Sequence, residues 1–302
     1  MSRILISGAS GLIGSALARS LEAGAVEVTS LVRRKPRNGK EIQWNPNAAI
    51  SPDLVSGFDA VIHLSGENIA GRWTEQKKRR IRDSRVISTN FLSQAIAKTE
   101  KKPSVFVCAS AIGYYGNRGD EVLTEGSPSG EGFFPEVCRE WEAATEFAAD
   151  AGVRVVTLRT GIVLSREGGA LKPMLLPFKL GLGGRIGDGR QYWSWIHIAD
   201  FVSAVHYILG DVGGGASSPV RGPVNMVAPN PVTNAEFTRV LASTLKRPAL
   251  LPAPAFALRL VVGELADEGL LASARVVPKK LLDSGFQFRF PELKSALDDL
   301  LR

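Results

Sequence analysis

Three glycines at fixed spacing constrain the fold of this chain more than any other feature of its sequence. Gly8, Gly11 and Gly14 follow an apolar run at residues 3–7 and lead into an amphipathic run that begins at Leu12. The first run predicts a short buried β-strand, and the second predicts a helix to about residue 21. A strand, a glycine turn and a helix in this order form a pyrophosphate site, because glycines permit the tight turn, the close approach of backbone to ligand and the packing of helix on strand. A purely structural turn is the alternative, but the position between strand and helix favours the nucleotide site.

The helix that follows the turn adds backbone N–H groups and a partial positive charge at its N-terminus, which favour a phosphate there. We therefore predict that a dinucleotide contacts the turn and the first helical residues, namely Gly8, Ser10, Gly11, Leu12, Ile13 and Gly14.

The end of the second predicted strand indicates which dinucleotide binds. NAD sites commonly place Asp or Glu there to bind the ribose 2′-hydroxyl. This strand ends in Leu31-Val-Arg-Arg-Lys35, without an acid. Because a guanidinium binds phosphate in a bidentate manner, the sequence predicts NADP(H), with Arg33 as the main contact of the 2′-phosphate and Arg34 as its neighbour. A solvated basic turn is the alternative.

Apolar runs alternate with helical patterns along the chain. Strands are predicted at residues 3–7, 26–32, 59–64, 104–110, 153–158 and 223–227. Helices are predicted at residues 12–21, 74–99 and 134–151. Continuously apolar strands are typical of a sheet buried on both faces, so the predicted fold class is α/β, with a Rossmann-like, doubly wound parallel sheet. Loops rich in glycine, proline and polar residues are predicted at 33–53, 116–132, 165–195 and 213–219.

We predict two domains from this pattern. Residues 1–224 form the NADP(H)-binding domain, and its loops at 165–195 contribute to the substrate side. Residues 225–302 form a small, mainly helical C-terminal domain on the substrate side.

Composition narrows the class of protein. The chain has 302 residues, 44% hydrophobic and 22% charged, with a net charge of +7, which is typical of a globular protein. With two cysteines, no apolar run of about 18 residues and no signal-peptide pattern, a cytoplasmic protein that does not enter a membrane is expected.

The basic run at 77–82 has few interleaved aromatic residues and predicts a solvated helix face rather than a nucleic-acid site. The three histidines lack metal-ligand spacing, so no metal is predicted and the expected partner is a small-molecule substrate.

Several motifs resemble the extended branch of the short-chain dehydrogenase/reductase superfamily. They are Gly8-x-x-Gly11-x-x-Gly14, Asp59-Ala-Val-Ile-His-Leu-Ser65, Thr89-Asn90, Gly187-Asp-Gly-Arg-Gln191 and Trp195-Ile-His-Ile-Ala-Asp200. A narrower set resembles the atypical "epimerase family" proteins, some of which carry a cell-division-inhibitor label. It consists of Gly66-Glu-Asn-Ile69, Ile112-Gly-Tyr-Tyr-Gly116, Trp141-Glu142, Leu175-Leu-Pro-Phe178, Gly181-Leu-Gly-Gly184, Asn225-Met-Val-Ala-Pro229, Thr233-Asn-Ala-Glu-Phe237 and Gly285-Phe-Gln-Phe-Arg-Phe-Pro291.

The resemblance implies further contacts with NADP(H) in the first domain. They lie after the third strand, on the following helix and near the nicotinamide: His63, Leu64, Ser65, Glu67, Arg85 and the backbone of Ile162. Glu67 is also a candidate acid or base, or an ordinary exposed carboxylate.

The catalytic residues of the superfamily are not found at their usual positions. Ordinary members use Ser, Tyr and Lys, the last two in a Tyr-x-x-x-Lys-x-x-x-Glu pattern, in which the tyrosine transfers the proton. Alignment on Glu142 places Phe134 and Cys138 in the tyrosine and lysine positions, and neither side chain can do the original chemistry. The usual serine position is Ala111, with Ser110 one residue earlier.

Substitutes for these residues are available nearby. We predict Tyr115 as the proton donor and Ser110 as its partner; packing of Tyr114 and Tyr115 in the core or the pocket wall is the alternative. Cys138 is either a thiolate near a helix N-terminus or, as we favour, a small buried hydrophobic residue.

Two functions follow from these patterns. The first is an NADP(H)-dependent oxidoreductase or epimerase-like enzyme that acts on a small molecule. The second is a non-catalytic NADP(H)-binding sensor or regulatory protein, which the loss of the Ser-Tyr-Lys triad favours. Tyr192-Trp-Ser-Trp195 stands where nucleotide-sugar enzymes often have an arginine, so a flatter or more apolar ligand than a nucleoside-diphosphate sugar is expected.

Overall fold

The computed structural model of the chain describes residues 2–24, 26–213 and 218–301. The predicted loop at 213–219 therefore lies largely outside the described residues. Within the described part, the strands are β1 (Arg3–Ser7), β2 (Glu27–Val32), β3 (Glu41–Gln43), β4 (Ala60–His63), β5 (Val105–Ala111), β6 (Val122–Leu123), β7 (Arg154–Thr160), β8 (Ile162–Leu164), β9 (Tyr192–Trp193), β10 (Trp195–His197), β11 (Gly222–Met226), β12 (Val232–Thr233) and β13 (Arg275–Val276).

The α-helices of the described residues are distributed along the whole sequence. They are α1 (Leu12–Ala23), α2 (Glu75–Lys98), α3 (Phe133–Ala143), α4 (Glu146–Asp150), α5 (Leu171–Lys179), α6 (Ile198–Leu209), α7 (Asn234–Leu245), α8 (Ala255–Val262), α9 (Lys279–Asp283) and α10 (Leu293–Leu301). None of these helices combines the length and the apolar character needed to cross a bilayer.

A seven-stranded sheet in the order β11-β7-β5-β4-β1-β2-β3 organises the molecule. Each neighbouring pair of strands in it is parallel. The predicted doubly wound parallel sheet is thus confirmed. The strand order reverses between β1 and β4, and a ligand crevice is expected at the carboxyl ends of strands at this point of an open α/β sheet.

Residues along each strand alternate between two cores, one on each face of the sheet. Ile4 and Ile6 pack in the core beneath α1 and α6, whereas Leu5 packs in the core beneath α2 and α3 on the other face of the sheet. Both sets are fully buried, which explains why these strands are continuously apolar in sequence.

A separate core joins the C-terminal region to the substrate side of the sheet. Phe237 and Leu241 of α7 and Leu297 of α10 pack there with Phe178 of α5 and Trp195 of β10. The helix α5 lies inside the segment 165–195 that was predicted as a loop, so that prediction was wrong for residues 171–179. Of its two prolines, Pro173 lies in the first turn, where no intrahelical N–H bond is required, whereas Pro177 lies inside the helix and removes one backbone hydrogen bond there.

Two further elements differ from the prediction. The helix expected at 134–151 is divided into α3 and α4 at Ala144 and Thr145. At this division the Thr145 hydroxyl donates to the Glu142 carbonyl oxygen at 2.7 Å, a side-chain hydrogen bond that competes with the backbone hydrogen bonds of a continuous helix. Strand β3 adds an edge to the sheet inside the predicted loop 33–53, where Glu41 and Ile42 pair with Ser30 and Leu31.

The His63 ring connects β4 to strand β1 and to helix α2 through hydrogen bonds. It is fully buried, with Nδ1 against the Ser7 hydroxyl and Nε2 3.0 Å from the Ser88 hydroxyl. The Ser88 hydroxyl donates to the Ser84 carbonyl oxygen at 2.7 Å, so Nε2 carries the ring proton and Nδ1 accepts from Ser7. Burial lowers the pKa of His63 to about 3, and the ring is neutral at physiological pH.

We predict that His63 makes the stability of the fold depend on pH below neutrality. Below pH 6.5, which is the ordinary pKa of histidine, His63 of the unfolded chain binds a proton. In the folded protein the ring stays neutral down to about pH 3. The free energy of unfolding therefore falls as the pH drops through this window, by at most about 1.4 kcal/mol per pH unit from this group. Urea denaturation at several pH values between 7 and 4 measures the slope.

The variant His63→Asn isolates this contribution. It is less stable than the wild type at neutral pH, but its free energy of unfolding declines less steeply between pH 6.5 and pH 4. His197 and His206, whose pKa values are also lowered by burial, remain in both proteins and cancel in the comparison. Equal slopes for the two proteins would contradict the assignment.

Candidate functional site

The glycine turn packs tightly against the end of β4. Gly8 has a φ of 76°, and a Cβ there would lie 2.7 Å from the Leu64 carbonyl carbon. A Cβ on Gly14 would lie 2.2 Å from the Gly8 carbonyl oxygen. Both distances exclude a side chain, whereas Gly11 is exposed and its Cβ would meet only the Gly8 oxygen, at 3.4 Å. The turn thus lies directly against the end of β4, at the edge of the sheet where a ligand crevice is expected.

The N-terminus of α1 opens into this crevice. No side chain within the described residues caps it, and its first turn contains no acidic residue. Ser10 is exposed beside it, and Leu12 and Ile13 are half-buried. The backbone N–H groups of this helix end are therefore available to an anion.

Residues after β4 form the opposite wall of the crevice. Leu64 donates its N–H to the Ser7 carbonyl oxygen at 3.1 Å, and Ser65 follows at the strand end. The Glu67 carboxylate accepts from Lys77 Nζ at 2.8 Å, and this bond is the main reason that its pKa is lowered. Glu67 is thus an ionised, paired carboxylate rather than a free acid. The His63 ring lies beneath this wall in the core, and a contact of the dinucleotide near His63 stays a prediction.

Arg85 of α2 fills the gap between this wall and α3. Its Nη1 donates to the Ile81 carbonyl oxygen at 2.9 Å and its Nη2 to the Glu67 carbonyl oxygen at 3.0 Å. The guanidinium carbon lies 5.1 Å from the centre of the Trp141 ring, and a Cβ on Gly66 would lie 3.2 Å from it. Carbonyl oxygens and the face of the Trp141 ring stabilise the positive charge of Arg85. Burial lowers the pKa of its guanidinium.

The two arginines after β2 have different surroundings. Arg34 forms a bidentate ion pair with Glu41 at 2.8 and 2.6 Å, and this bond lowers the pKa of Glu41 to about 2. Arg33 is exposed and lines an open cleft of about 630 Å³ with Gln43, Trp44 and Asn45. The sequence analysis treated the two as neighbours at one phosphate, but Arg34 anchors β3 and Arg33 faces the cleft.

The basic run of α2 is also bound in ion pairs. Lys77 pairs with Glu67, Lys78 with Glu264 at 3.0 Å, and Arg82 with Glu140 at 2.6 Å. These pairs connect α2 to the crevice wall, to the C-terminal region and to α3.

A second cavity, of about 290 Å³, lies at the carboxyl ends of β5 and β7. It brings together the three positions at which the superfamily has its catalytic triad, since Ala111, Phe134 and Cys138 all line it, and Ser110 lines it beside Ala111. Arg85 and Ile162 line it as well, so the cavity is continuous with the wall of the crevice. Most of its remaining surface is apolar, with Ile69, Ile112, Val137, Trp141 and Trp193 among its lining residues.

Cys138 contributes a neutral thiol to this cavity. Its side chain is buried, and this burial raises its pKa to about 12. A thiolate is therefore not formed at neutral pH, in agreement with the interpretation of Cys138 as a small hydrophobic residue.

A buried ion pair lies beneath the cavity and holds the ends of the strands together. Arg159 of β7 binds both carboxylate oxygens of Glu142 on α3, each at 2.8 Å. The Ser110 hydroxyl donates to the same carboxylate at 2.7 Å. Ser110 thus lines the cavity, but its hydroxyl already donates its hydrogen bond to the Glu142 carboxylate.

Tyr115 belongs to this ion-pair network and does not line the cavity. Its ring is fully buried. Its hydroxyl accepts from Arg159 Nη1 at 3.0 Å and lies 2.7 Å from Asn225 Oδ1 and 3.0 Å from the Thr124 carbonyl oxygen, so it has acceptors for its proton within the core. Burial raises its pKa to about 12. The geometry therefore does not support Tyr115 as the proton donor: a short helical turn at Ile112–Tyr115 directs its side chain into the protein.

Four polar residues that were not predicted as site residues line the cavity, namely Thr160, Tyr192, Ser194 and Glu268. The Glu268 carboxylate accepts the N–H groups of Phe133 at 3.4 Å and Phe134 at 3.2 Å and so caps α3. The only signal for it in the sequence was indirect: α3 begins after Gly132, which has no side chain to cap it, so a cap from elsewhere was required.

Comparison with known proteins agrees with this architecture. Residues 4–218 match the model of the NAD dependent epimerase/dehydratase family, and residues 253–300 match a domain of unknown function, DUF1731. The chain belongs to the NAD dependent epimerase/dehydratase family. The resemblance to epimerase family proteins is thereby confirmed.

Members of this epimerase/dehydratase family similar to the chain come from distant organisms. The epimerase family protein Mb2239 of Mycobacterium bovis is 44% identical over 97% of this chain and 96% of its own length. The human epimerase family protein SDR39U1 is 39% identical over 99% of both chains. A crystal structure of human SDR39U1 (isoform 2) with NADPH matches with a TM-score of 0.89 and 36% identity, over 99% of this chain and 98% of that one.

We predict that the charge of Glu142 is essential to the fold. Its replacement in Glu142→Gln leaves the buried Arg159 guanidinium without a counter-charge, and we expect the free energy of unfolding to fall by about 3–5 kcal/mol. Urea denaturation measures the loss. Glu136→Gln, which removes an exposed charge from the first turn of the same helix, is the matched control and should cost about 1 kcal/mol or less. Similar losses in the two variants would contradict a structural role for the pair.

Proposed function

We propose that the chain binds NADP(H) in the crevice between β1 and β4 and uses the adjoining cavity to transfer hydride to or from a small, largely apolar substrate. The observation that carries this proposal is the cavity itself. The positions of the family's catalytic triad meet there, next to Ile162 and Arg85, at the edge of the crevice.

The crevice fits the pyrophosphate of a dinucleotide. Gly8 and Gly14 have no room for a Cβ, and the uncapped N-terminus of α1 faces the space that they leave. A diphosphate would accept the free N–H groups there. The human relative whose crystal structure contains NADPH has the same fold over nearly its whole length, which supports the same cofactor here.

The cleft beside β2 fits the phosphate that distinguishes NADPH from NADH. Arg33 reaches this cleft from the end of β2, while Arg34 is bound to Glu41. The bidentate geometry of a guanidinium matches the 2′-phosphate. We therefore assign selectivity for NADP(H) to Arg33 alone.

The cavity indicates the class of substrate. Its volume of about 290 Å³ is at the low end for small-molecule sites, and its walls are mainly aliphatic and aromatic. Arg85 is the only cation that lines it within the described residues, and its guanidinium is already bound to carbonyl oxygens. A small apolar alcohol or carbonyl compound fits this lining better than a nucleoside-diphosphate sugar.

A non-catalytic role as an NADP(H) sensor is the second candidate. Phe134 and Cys138 favour it, because neither can supply the proton or the positive charge of the usual triad. The two candidates differ in one result: an enzyme oxidises bound NADPH when supplied with apolar aldehydes or ketones, whereas a sensor leaves it reduced.

We predict that the variant Arg33→Ala weakens NADPH binding about tenfold or more, because a charge-assisted hydrogen bond to phosphate contributes about 1.5–3 kcal/mol. NADH affinity should change little, since NADH lacks the 2′-phosphate. Isothermal titration calorimetry with both dinucleotides measures the effect. Lys35→Ala removes an exposed positive charge two residues away and is the matched control.

Two results would overturn this account. An equal loss of NADPH and NADH affinity in Arg33→Ala would place Arg33 outside the 2′-phosphate site. Failure of the wild type to bind any dinucleotide would remove the proposed function entirely.

A further inference from the structure

We propose that Glu268 of the C-terminal region binds the hydroxyl or carbonyl oxygen of the substrate and exchanges its proton, in place of the missing tyrosine. This inference rests on the proposed function and names the residue through which the cavity would do its chemistry.

The position of Glu268 relative to Phe134 is the first observation. Phe134 occupies the tyrosine position of the family pattern and packs against Trp73, with ring centres 4.7 Å apart. A Cβ on the neighbouring Gly269 would lie 3.8 Å from Phe134 Cε2, which adjoins the ring carbon that carries the hydroxyl in a tyrosine. The segment that contains Glu268 therefore lies at the end of the ring where a phenolic oxygen would project.

The hydrogen bonds of Glu268 are the second observation. Each carboxylate oxygen accepts one backbone N–H, from Phe133 or Phe134, at the start of α3. A carboxylate oxygen has two lone pairs, so each retains acceptor capacity for a ligand. The two N–H groups hold the carboxylate in place at the edge of the cavity.

The other polar groups of the cavity are less suited to this role. The Ser110 hydroxyl donates to Glu142, and the Cys138 thiol is neutral. Arg85 has no proton to exchange near neutral pH and is bound to carbonyl oxygens. The Thr160 and Ser194 hydroxyls donate to backbone carbonyl oxygens. Tyr192 remains as a rival, since its phenol lines the same cavity.

The proton step balances in both directions. In oxidation, the hydroxyl proton of an alcohol passes to the Glu268 carboxylate while hydride leaves the carbinol carbon for C4 of the nicotinamide of NADP⁺. The products are a carbonyl compound, NADPH and a protonated Glu268, which returns its proton to solvent. In reduction, protonated Glu268 gives its proton to the carbonyl oxygen as hydride arrives at the carbon.

The test uses 2-naphthol, a small apolar alcohol, with naphthalene as the matched ligand that lacks the hydroxyl. With the chain saturated with NADP⁺, we expect 2-naphthol to bind about tenfold or more tightly than naphthalene, because only its hydroxyl can donate a hydrogen bond to the Glu268 carboxylate. Excited 2-naphthol is a strong acid that passes its proton to an adjacent carboxylate. The bound ligand should therefore emit as naphtholate, which reports the proton exchange without requiring the natural substrate.

Three variants complete the test. Glu268→Gln keeps the size of the side chain and an oxygen for the cap, and should abolish both the preference for 2-naphthol and the naphtholate emission. Glu264→Gln removes an exposed carboxylate of the same segment and should leave both unchanged. Tyr192→Phe removes the rival phenol from the cavity and should retain the naphtholate emission. Thermal unfolding of each variant establishes that it is folded.

The outcomes separate this inference from the function on which it rests. No preference for 2-naphthol, no naphtholate emission, or both retained in Glu268→Gln would overturn the role of Glu268. Loss of both in Tyr192→Phe but not in Glu268→Gln would assign the role to Tyr192 instead. NADPH affinity is measured on the same samples: if it is absent, the proposed function fails, and if it is normal, only the assignment of Glu268 fails.

Discussion

The ion pair between Arg159 and Glu142 is the interaction on which the arrangement around the cavity depends. It joins the end of β7 to α3 in a region closed to solvent, where two charges are stable only if each is paired and hydrogen-bonded. That requirement draws in the hydroxyl groups of Ser110 and Tyr115 as further partners. The two polar side chains that the sequence suggested as substitutes for the catalytic triad are therefore occupied in holding the fold together. What remains in the cavity is an apolar wall with Arg85 at one side and Glu268 at another.

This arrangement gives the C-terminal region a direct part in the site. Glu268 caps α3 from a segment that lies far along the chain, and Lys78 of α2 pairs with Glu264 of that same segment. The first domain alone forms the crevice, through the glycine turn and the end of β4. The cavity is complete only when residues 268–274 close it. The crevice thus comes from the glycine turn and the end of β4, whereas the cavity is shared with the C-terminal region.

The sequence was sufficient to predict the sheet and the crevice, because both depend on local constraints. Strands buried on both faces must be continuously apolar, and Gly8 and Gly14 mark positions where any Cβ would collide with backbone. The cavity was harder to predict because it depends on directions and distant partners. The direction of the Tyr115 side chain follows from a turn of four residues. Arg34 is held away from the cleft that Arg33 lines, because it pairs with Glu41 on an edge strand that was not predicted. Glu268 lies more than a hundred residues from the helix that it caps.

A crystal structure of the chain with NADPH tests the central claim most directly. The account predicts the pyrophosphate at the N-terminus of α1, the 2′-phosphate against Arg33, and the nicotinamide at the cavity edge between Ile162 and Phe134, with Tyr115 still bound to Arg159. A nicotinamide directed away from this cavity, or a Tyr115 hydroxyl turned toward the nicotinamide, would contradict it.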